Sequence, residues 1–284
     1  MMNVILYLSD CFEDKKILNV QSVGGGCINE TYIVTLNSRE KFFIKVNDIQ
    51  QKENFVQEKF SLEYLRNKSS LRVPGVLNLC ESKDKAILVL EYIEKSTENE
   101  EFHFLLGKGL AELHKNTGEF FGWFHDNYIG SLKQYNRRER EWTTFYVTQR
   151  LEPLVKQCFD QSMLSKQDIR GFERLYLELD NIFPKEPPAL LHGDLWTGNR
   201  MNSIEGVVVF DPACYFGHRE MDVAMLNLFG KPGDEFYEGY HAVYPLEENF
   251  RDRMDICNLY PLLVHAILFG YGYVYDIKSI IKKF

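Results

Sequence analysis

The residues able to do chemistry lie in two short stretches: His192-Gly193-Asp194-Leu195-Trp196-Thr197-Gly198-Asn199 and, after a run of valines, Phe210-Asp211-Pro212-Ala213. Their order matches two phosphoryl-transfer motifs, H-R-D-L-x-x-x-N and the later D-F-G, with Gly193 in place of the arginine and Asp211-Pro212-Ala213 where D-F-G would stand. Phosphoryl transfer leaves a protein little covalent work. Its site must orient a hydroxyl in line with the γ-phosphate and neutralise the charge that develops. In that reading Asp194 is the catalytic base, and Asn199 with Asp211 offers hard oxygen ligands to Mg2+ on ATP. Taken singly, each part would be a helix cap or a strand terminator; the joint spacing carries the weight.

Such a site needs a cation for the α- and β-phosphates, and the first third of the chain supplies one. Thr31–Leu36 and Lys41–Val46 read as a hairpin about Asn37-Ser38, with Phe42, Ile44 and Val46 on one face and Lys45 on the other. Phe43-Ile44-Lys45 resembles the end of the kinase V-A-I-K strand. Downstream, Phe55, Glu58, Leu62 and Leu65 fall on one helix face, and a carboxylate among apolar positions calls for a cation, which makes Glu58 the expected partner of Lys45. Gly24-Gly25-Gly26-Cys27-Ile28-Asn29 is a candidate phosphate loop that departs from G-x-G-x-x-G at Asn29, and no P-loop signature occurs.

The apolar run Ala86 to Ile93 reads as a strand, and the acidic run after it marks a boundary, with residues 1–93 as a nucleotide-binding lobe and 94–284 as a catalytic and substrate-binding lobe. From Phe102 onward the periodicity is helical, with Pro184, Pro187 and Pro188 ending one helix just before the Asp194 stretch. The expected fold is a two-lobed protein-kinase-like α+β fold, with a small sheet-containing N-lobe and a larger, mainly helical C-lobe.

Composition narrows the alternatives. A net charge of -8 disfavours nucleic acid as a partner. The apolar stretch Leu259 to Tyr275 contains Pro261, His265, Gly270 and Gly272 and is too short to span a bilayer, so it reads as a buried aromatic helix and no membrane partner is expected. Six cysteines without a C-x-x-C pair suggest neither a zinc knuckle nor a disulfide framework and fit a reducing cytoplasm.

Over nearly its whole length the sequence resembles the fructosamine kinase (ketosamine 3-kinase) family, within the aminoglycoside phosphotransferase and choline kinase group. The resemblance is carried by the glycine loop, Leu88 to Ile93, Gly130-Ser131 with Gln134 and Asn136, Trp142 to Tyr146, Arg150-Leu151, the His192 stretch, and Asp211 to Glu220. Trp196 and Gly217-His218-Arg219-Glu220 are its most specific marks. It implies ATP-dependent phosphorylation of the 3-hydroxyl of a ketosamine, a glycated amine or glycated protein lysine, and hence deglycation. Glu91, Tyr92 and Ile93 would be the hinge that meets adenine, Gly24, Gly25 and Gly26 the loop over the phosphates, and Trp196 a wall against the sugar. His218, Arg219 and Glu220 read equally as substrate contacts or as a polar network that fastens the Asp211 loop. Cys27 would be either a small residue in a tight loop or, as in some relatives, a redox site, giving a monomer or a Cys27-linked dimer. Competing readings are a choline, homoserine or aminoglycoside kinase and a nucleotide-binding pseudokinase; the joint presence of Lys45, Asp194, Asn199 and Asp211 weighs against the last.

Overall fold

The structure is a computed structural model that describes residues 7–8, 10–12, 15–24 and 28–284. The chain forms two compact units, Met1–Glu98 with Gly198–Pro212 and Asn99–Thr197 with Ala213–Phe284. The segment containing Asn199 and Asp211 therefore belongs to the first unit, although it lies about a hundred residues beyond the rest of that unit in the sequence.

The first unit is built on an antiparallel sheet of β1 (Ile17–Ser22), β2 (Glu30–Leu36), β3 (Lys41–Asp48), β4 (Val76–Ser82) and β5 (Lys85–Glu91), in the order β1-β2-β3-β5-β4. The Asn37–Ser38 turn closes the expected β2–β3 hairpin, with Arg39 in the left-handed region (φ 69°). Ala86 to Leu90 of β5 is buried throughout, because the sheet is covered on both faces. Ile44, Val46, Ile87 and Val89 join Val34, Leu36, Leu8 and Phe12 in one apolar cluster. On the opposite face, where the alternation of β3 places Lys45, lies the helix Lys52–Lys68, which buries Phe55, Leu62 and Leu65.

One expectation fails in this unit. Cys11 and Cys80 form a disulfide, with Cα atoms 5.9 Å apart across a separation of 69 residues. Nothing in their sequence spacing marks the pair; the sheet brings β4 beside the segment that precedes β1. Cys158, Cys214 and Cys257 are buried and not disulfide-bonded.

The hairpin Arg200–Ser203/Gly206–Val209 is stitched to the first unit along both edges. On one side Asn202 and Ser203 pair with Ser96 and Lys95. On the other, the Arg72 N–H donates to Val207 O at 2.9 Å and the Val209 N–H to Arg72 O at 2.9 Å. The Arg72 side chain adds an ion pair to Glu91 and one of 2.8 Å to Glu205.

The second unit is mainly helical. Its Glu100–His114 helix is capped by the Asn99 side chain, which accepts the Phe102 N–H, and Lys166–Ile182 starts with a Ser165–Asp168 capping box. Glu100–His114 packs so closely on Asp234–Val243 that a Cβ at Gly107 would strike the Phe236 carbonyl and one at Gly239 the Phe104 carbonyl. The expected aromatic helix extends over Phe250–Phe269 and stops at Gly270 (φ 95°). Pro261 within it has no N–H for Cys257 O; the Tyr146 hydroxyl instead donates to Ile256 O at 2.5 Å and lies 3.4 Å from Cys257 O. Among the described residues no helix is long and apolar enough to cross a membrane.

Candidate active site

In the first unit, Lys45 sits between two carboxylates, with Nζ 2.6 Å from Glu58 Oε1 and 2.6 Å from Asp211 Oδ1. Each element has a reason to deliver its group: strand alternation turns Lys45 away from the apolar cluster, helix periodicity puts Glu58 in line with Phe55 and Leu62, and the buried strand Gly206–Val209 ends two residues before Asp211. Burial alone would depress the Lys45 ammonium; Asp211 and Glu58 outweigh it and hold its pKa raised, so the side chain stays charged. Asp211 itself takes a left-handed backbone (φ 57°), a conformation uncommon outside glycine that aspartate tolerates better than most.

Asn199 and Asp211 flank the same hairpin, and the Phe210 N–H donates to Asn199 O at 3.0 Å, which brings the two together at one end of it. The donors suit magnesium: one carboxylate and one amide oxygen beside a buried ammonium able to hold phosphate. Among the described residues there is no cluster of three or more His, Cys, Asp or Glu that would cage a metal by protein alone. Magnesium keeps part of its shell for phosphate oxygens and water, so two protein donors fit it.

Of the expected hinge, Glu91 ends β5. Its carboxylate accepts the Gly75 N–H at 3.0 Å and pairs with Arg72, while its own N–H donates to Gly75 O at 2.9 Å. Tyr92 lies under the Lys41 ammonium, 5.2 Å from the ring centroid, and Ile93 is buried. Gly24 is exposed; Gly25, Gly26 and Cys27 lie outside the described residues.

In the second unit, Asp194 is half-buried in the loop after the strand Ala189–Leu191, which pairs with Tyr215–Gly217. Asp222, 1% exposed and missed by sequence reasoning, holds this loop: its carboxylate accepts the His192 N–H at 2.7 Å and the Gly193 N–H at 2.9 Å. His114 Nε2, 3.3 Å away, donates to the same carboxylate, and His114 Nδ1 is 2.7 Å from the Tyr240 hydroxyl. The overlooked signal was an aspartate beside the apolar run Val223 to Leu226 in the Glu220–Leu228 helix.

Gly193 explains the departure from H-R-D. Its φ of 83° lies in the left-handed region, and a Cβ there would strike the Ala213 carbonyl. The Ala213 N–H also donates to His192 O at 2.9 Å. The next layer is a buried amide network. Gln134 donates to Ala213 O at 3.0 Å and Asn127 to Cys214 O at 2.9 Å. Both Gln134 and Asn136 donate to Asn127 Oδ1 at 2.7 Å. Arg150 donates to Asn136 Oδ1 at 2.7 Å, and its guanidinium stacks 4.1 Å from the Tyr215 ring centroid. The role of Gln134, Asn136 and Arg150 is thus support of the loop.

The Gly217-to-Glu220 string, which reads equally as substrate contacts or as a polar network, is buried and hydrogen-bonded within the second unit. His218, Arg219 and Glu220 are 0%, 2% and 2% exposed. Arg219 pairs with Glu186 at 2.6 Å and donates to Tyr244 O at 2.9 Å and Pro245 O at 2.8 Å. Glu220 takes both forks of Arg253, at 2.8 Å and 2.7 Å. Burial lowers the His218 pKa and keeps the ring neutral. Trp196 is half-buried and meets Phe229 edge-on, 6.2 Å between centroids.

An antiparallel sheet whose buried lysine is paired with a helix glutamate, together with a helical unit bearing the Asp194 loop, defines the α+β protein-kinase-like class. The profile of the fructosamine kinase family matches residues 1–284, and the chain belongs to that family. It is 38% identical over 264 residues to a Vibrio parahaemolyticus protein named "Probable ketoamine kinase", covering 92% of this chain and 90% of that one. It is 34% identical over 276 residues to the chloroplastic protein-ribulosamine 3-kinase of Oryza sativa subsp. indica, covering 95% and 79%. The crystal structure of a fructosamine-3-kinase candidate from Thermobifida fusca superposes with a TM-score of 0.84 at 32% identity, covering 94% of this chain and 93% of the other.

Proposed function

We propose that this protein transfers the γ-phosphoryl group of ATP to the 3-hydroxyl of a ketosamine, either a free glycated amine or a glycated lysine of a protein, and so promotes deglycation in the cytoplasm. The observation that carries the reading is the buried Lys45 held at 2.6 Å from both Glu58 and Asp211, in a chain of the fructosamine kinase family.

Lys45 holds the α- and β-phosphates, with Glu58 fixing its side chain. Asn199 and Asp211 hold the magnesium, which when bound neutralises charge on the transferring phosphoryl group. Asp194 accepts the proton of the attacking hydroxyl. The backbone about Glu91, Tyr92 and Ile93 receives adenine, the Gly24-Gly25-Gly26 loop covers the phosphates, and Trp196 lies against the sugar. The carboxylate of Asp222 on two successive loop amides keeps Asp194 oriented, which matters because small misplacement at a reacting centre is costly in rate.

The test is magnesium-dependent ATP consumption with ribulose-lysine, fructose-lysine, choline, homoserine and kanamycin, using Asp194→Asn as the blank. Turnover restricted to the ketosamines, with phosphate on O3 by NMR, is expected. The Asp194→Asn protein should lose about 10²- to 10⁴-fold in kcat while binding ATP as tightly as the parent. Turnover of choline, homoserine or kanamycin alone would overturn the assignment.

A further inference from the structure

Arg72 stands in no motif, in the segment that leads from the Lys52–Lys68 helix into β4, yet it ties together two parts of the first unit that would hold opposite ends of ATP. Its guanidinium spreads three donors over three segments. Nη2 pairs with Glu91 Oε1 at the end of β5, Nε donates to Glu205 Oε2 at 2.8 Å in the turn of the Arg200–Ser203/Gly206–Val209 hairpin, and Nη1 donates to Val73 O at 2.9 Å. Its backbone exchanges two further hydrogen bonds with Val207 and Val209 of the same hairpin. Both partners are themselves fixed: Glu91 Oε2 accepts the Gly75 N–H at 3.0 Å, and the Glu205 N–H donates to the Ser203 hydroxyl at 3.0 Å.

The β3–β5 ladder fixes Lys45 relative to the end of β5, because Phe42 pairs with Glu91 and Lys45 with Leu88 in one register. Asn199 and Asp211 are placed differently. They flank a hairpin that belongs to a separate three-stranded sheet with Lys95–Ser96. The Glu91–Arg72–Glu205 bridge runs from one sheet to the other. A guanidinium suits that task, since its planar fork fixes the directions of its donors, whereas a lysine would offer one flexible point charge.

A kinase must grip ATP at the adenine and at the phosphates together, and a small error in the spacing between the two is costly in rate. We propose that Arg72 is a positioning residue for phosphoryl transfer, whose bridge from Glu91 to Glu205 holds the Asn199 and Asp211 ligands at the working distance from the adenine-binding backbone. The inference rests on the ATP-dependent kinase reading and deepens it. Arg72 acts through Glu91 and the hairpin.

The experiment measures the affinity of the parent protein, Arg72→Met and Glu205→Gln for adenosine and for ATP with Mg2+, together with the Mg2+ concentration that half-saturates turnover of ribulose-lysine. Adenosine engages the adenine end alone, so its affinity should hold in both variants. Arg72→Met should weaken ATP with Mg2+ by about 10-fold or more, the scale of lost hydrogen bonds to a charged group, and should raise the Mg2+ requirement. Glu205→Gln changes a side chain that is 53% exposed, where substitution spares the fold, and should weaken ATP with Mg2+ by about 2- to 5-fold, the scale of an exposed ion pair. An unchanged ratio of the two affinities in Arg72→Met, whether both hold or both weaken together, would overturn the proposal; should that variant fail to fold, the ratio in Glu205→Gln decides. If the parent binds no ATP, the kinase reading falls and this inference with it. If the parent phosphorylates ribulose-lysine and the ratio is independent of Arg72 and Glu205, only this inference falls.

Discussion

Two buried ion clusters in this protein use the same residue types to opposite ends. Around Arg219 and Arg253 every charge is taken up internally: Arg219 is shared by Glu186 and two carbonyls, and Arg253 is forked onto a Glu220 that is 2% exposed. Around Lys45 the ammonium is equally buried, but one of its partners, Asp211, keeps 37% of its side chain exposed. A carboxylate half in water can exchange a lysine for a metal ion or shift when phosphate arrives, whereas one enclosed by guanidinium forks cannot do so without unfolding its surroundings. Charge in a cluster therefore does not mark function; an oxygen left facing solvent does.

The sharpest way to break this contrast is Glu220→Gln. It strands the Arg253 guanidinium in a buried setting and should cost about 3–5 kcal/mol of stability by denaturant titration, with KM for ATP unchanged in the folded fraction. A protein with unaltered stability and an impaired KM would move this cluster into the site. Lys45→Met should do the reverse, lowering kcat/KM for ATP by about 10²- to 10³-fold. Its stability loss should be smaller, because burial already raises the Glu58 carboxyl pKa and the group can take up a proton once the ammonium is gone. Equal stability losses in the two variants would erase the distinction.

Smaller in effect is Tyr260→Phe, which removes the hydroxyl donating to Gln134 Oε1 at 2.6 Å and leaves that buried oxygen unsatisfied. About 1–3 kcal/mol of stability should be lost. If the amide network positions the Asp194 loop, kcat should fall as well while KM for ATP holds; a change in stability alone would make the network purely structural.

The candidate site residues were legible as a set because phosphoryl-transfer chemistry dictates a spacing that reads directly along the chain. Asp194 and Asn199 share one loop, and strand and helix periodicity alone set Lys45 and Glu58 on facing surfaces. Asp211 could be named from its valine run, although its 2.6 Å contact with Lys45 joins residues 166 positions apart. Where periodicity and local spacing were silent, reading failed or stayed open. The Cys11–Cys80 bond, the grip of Asp222 on the His192 and Gly193 amides, and the burial of the Gly217-to-Glu220 string depend on which distant segments pack together. By itself, then, the sequence determined the reaction class and the α+β organisation and singled out the candidate groups for the site, since these follow from residue type and short-range period. Only the tertiary structure decided which buried charges are internally satisfied and which carboxylate still faces water, because satisfaction of a polar group is a property of its neighbours in space.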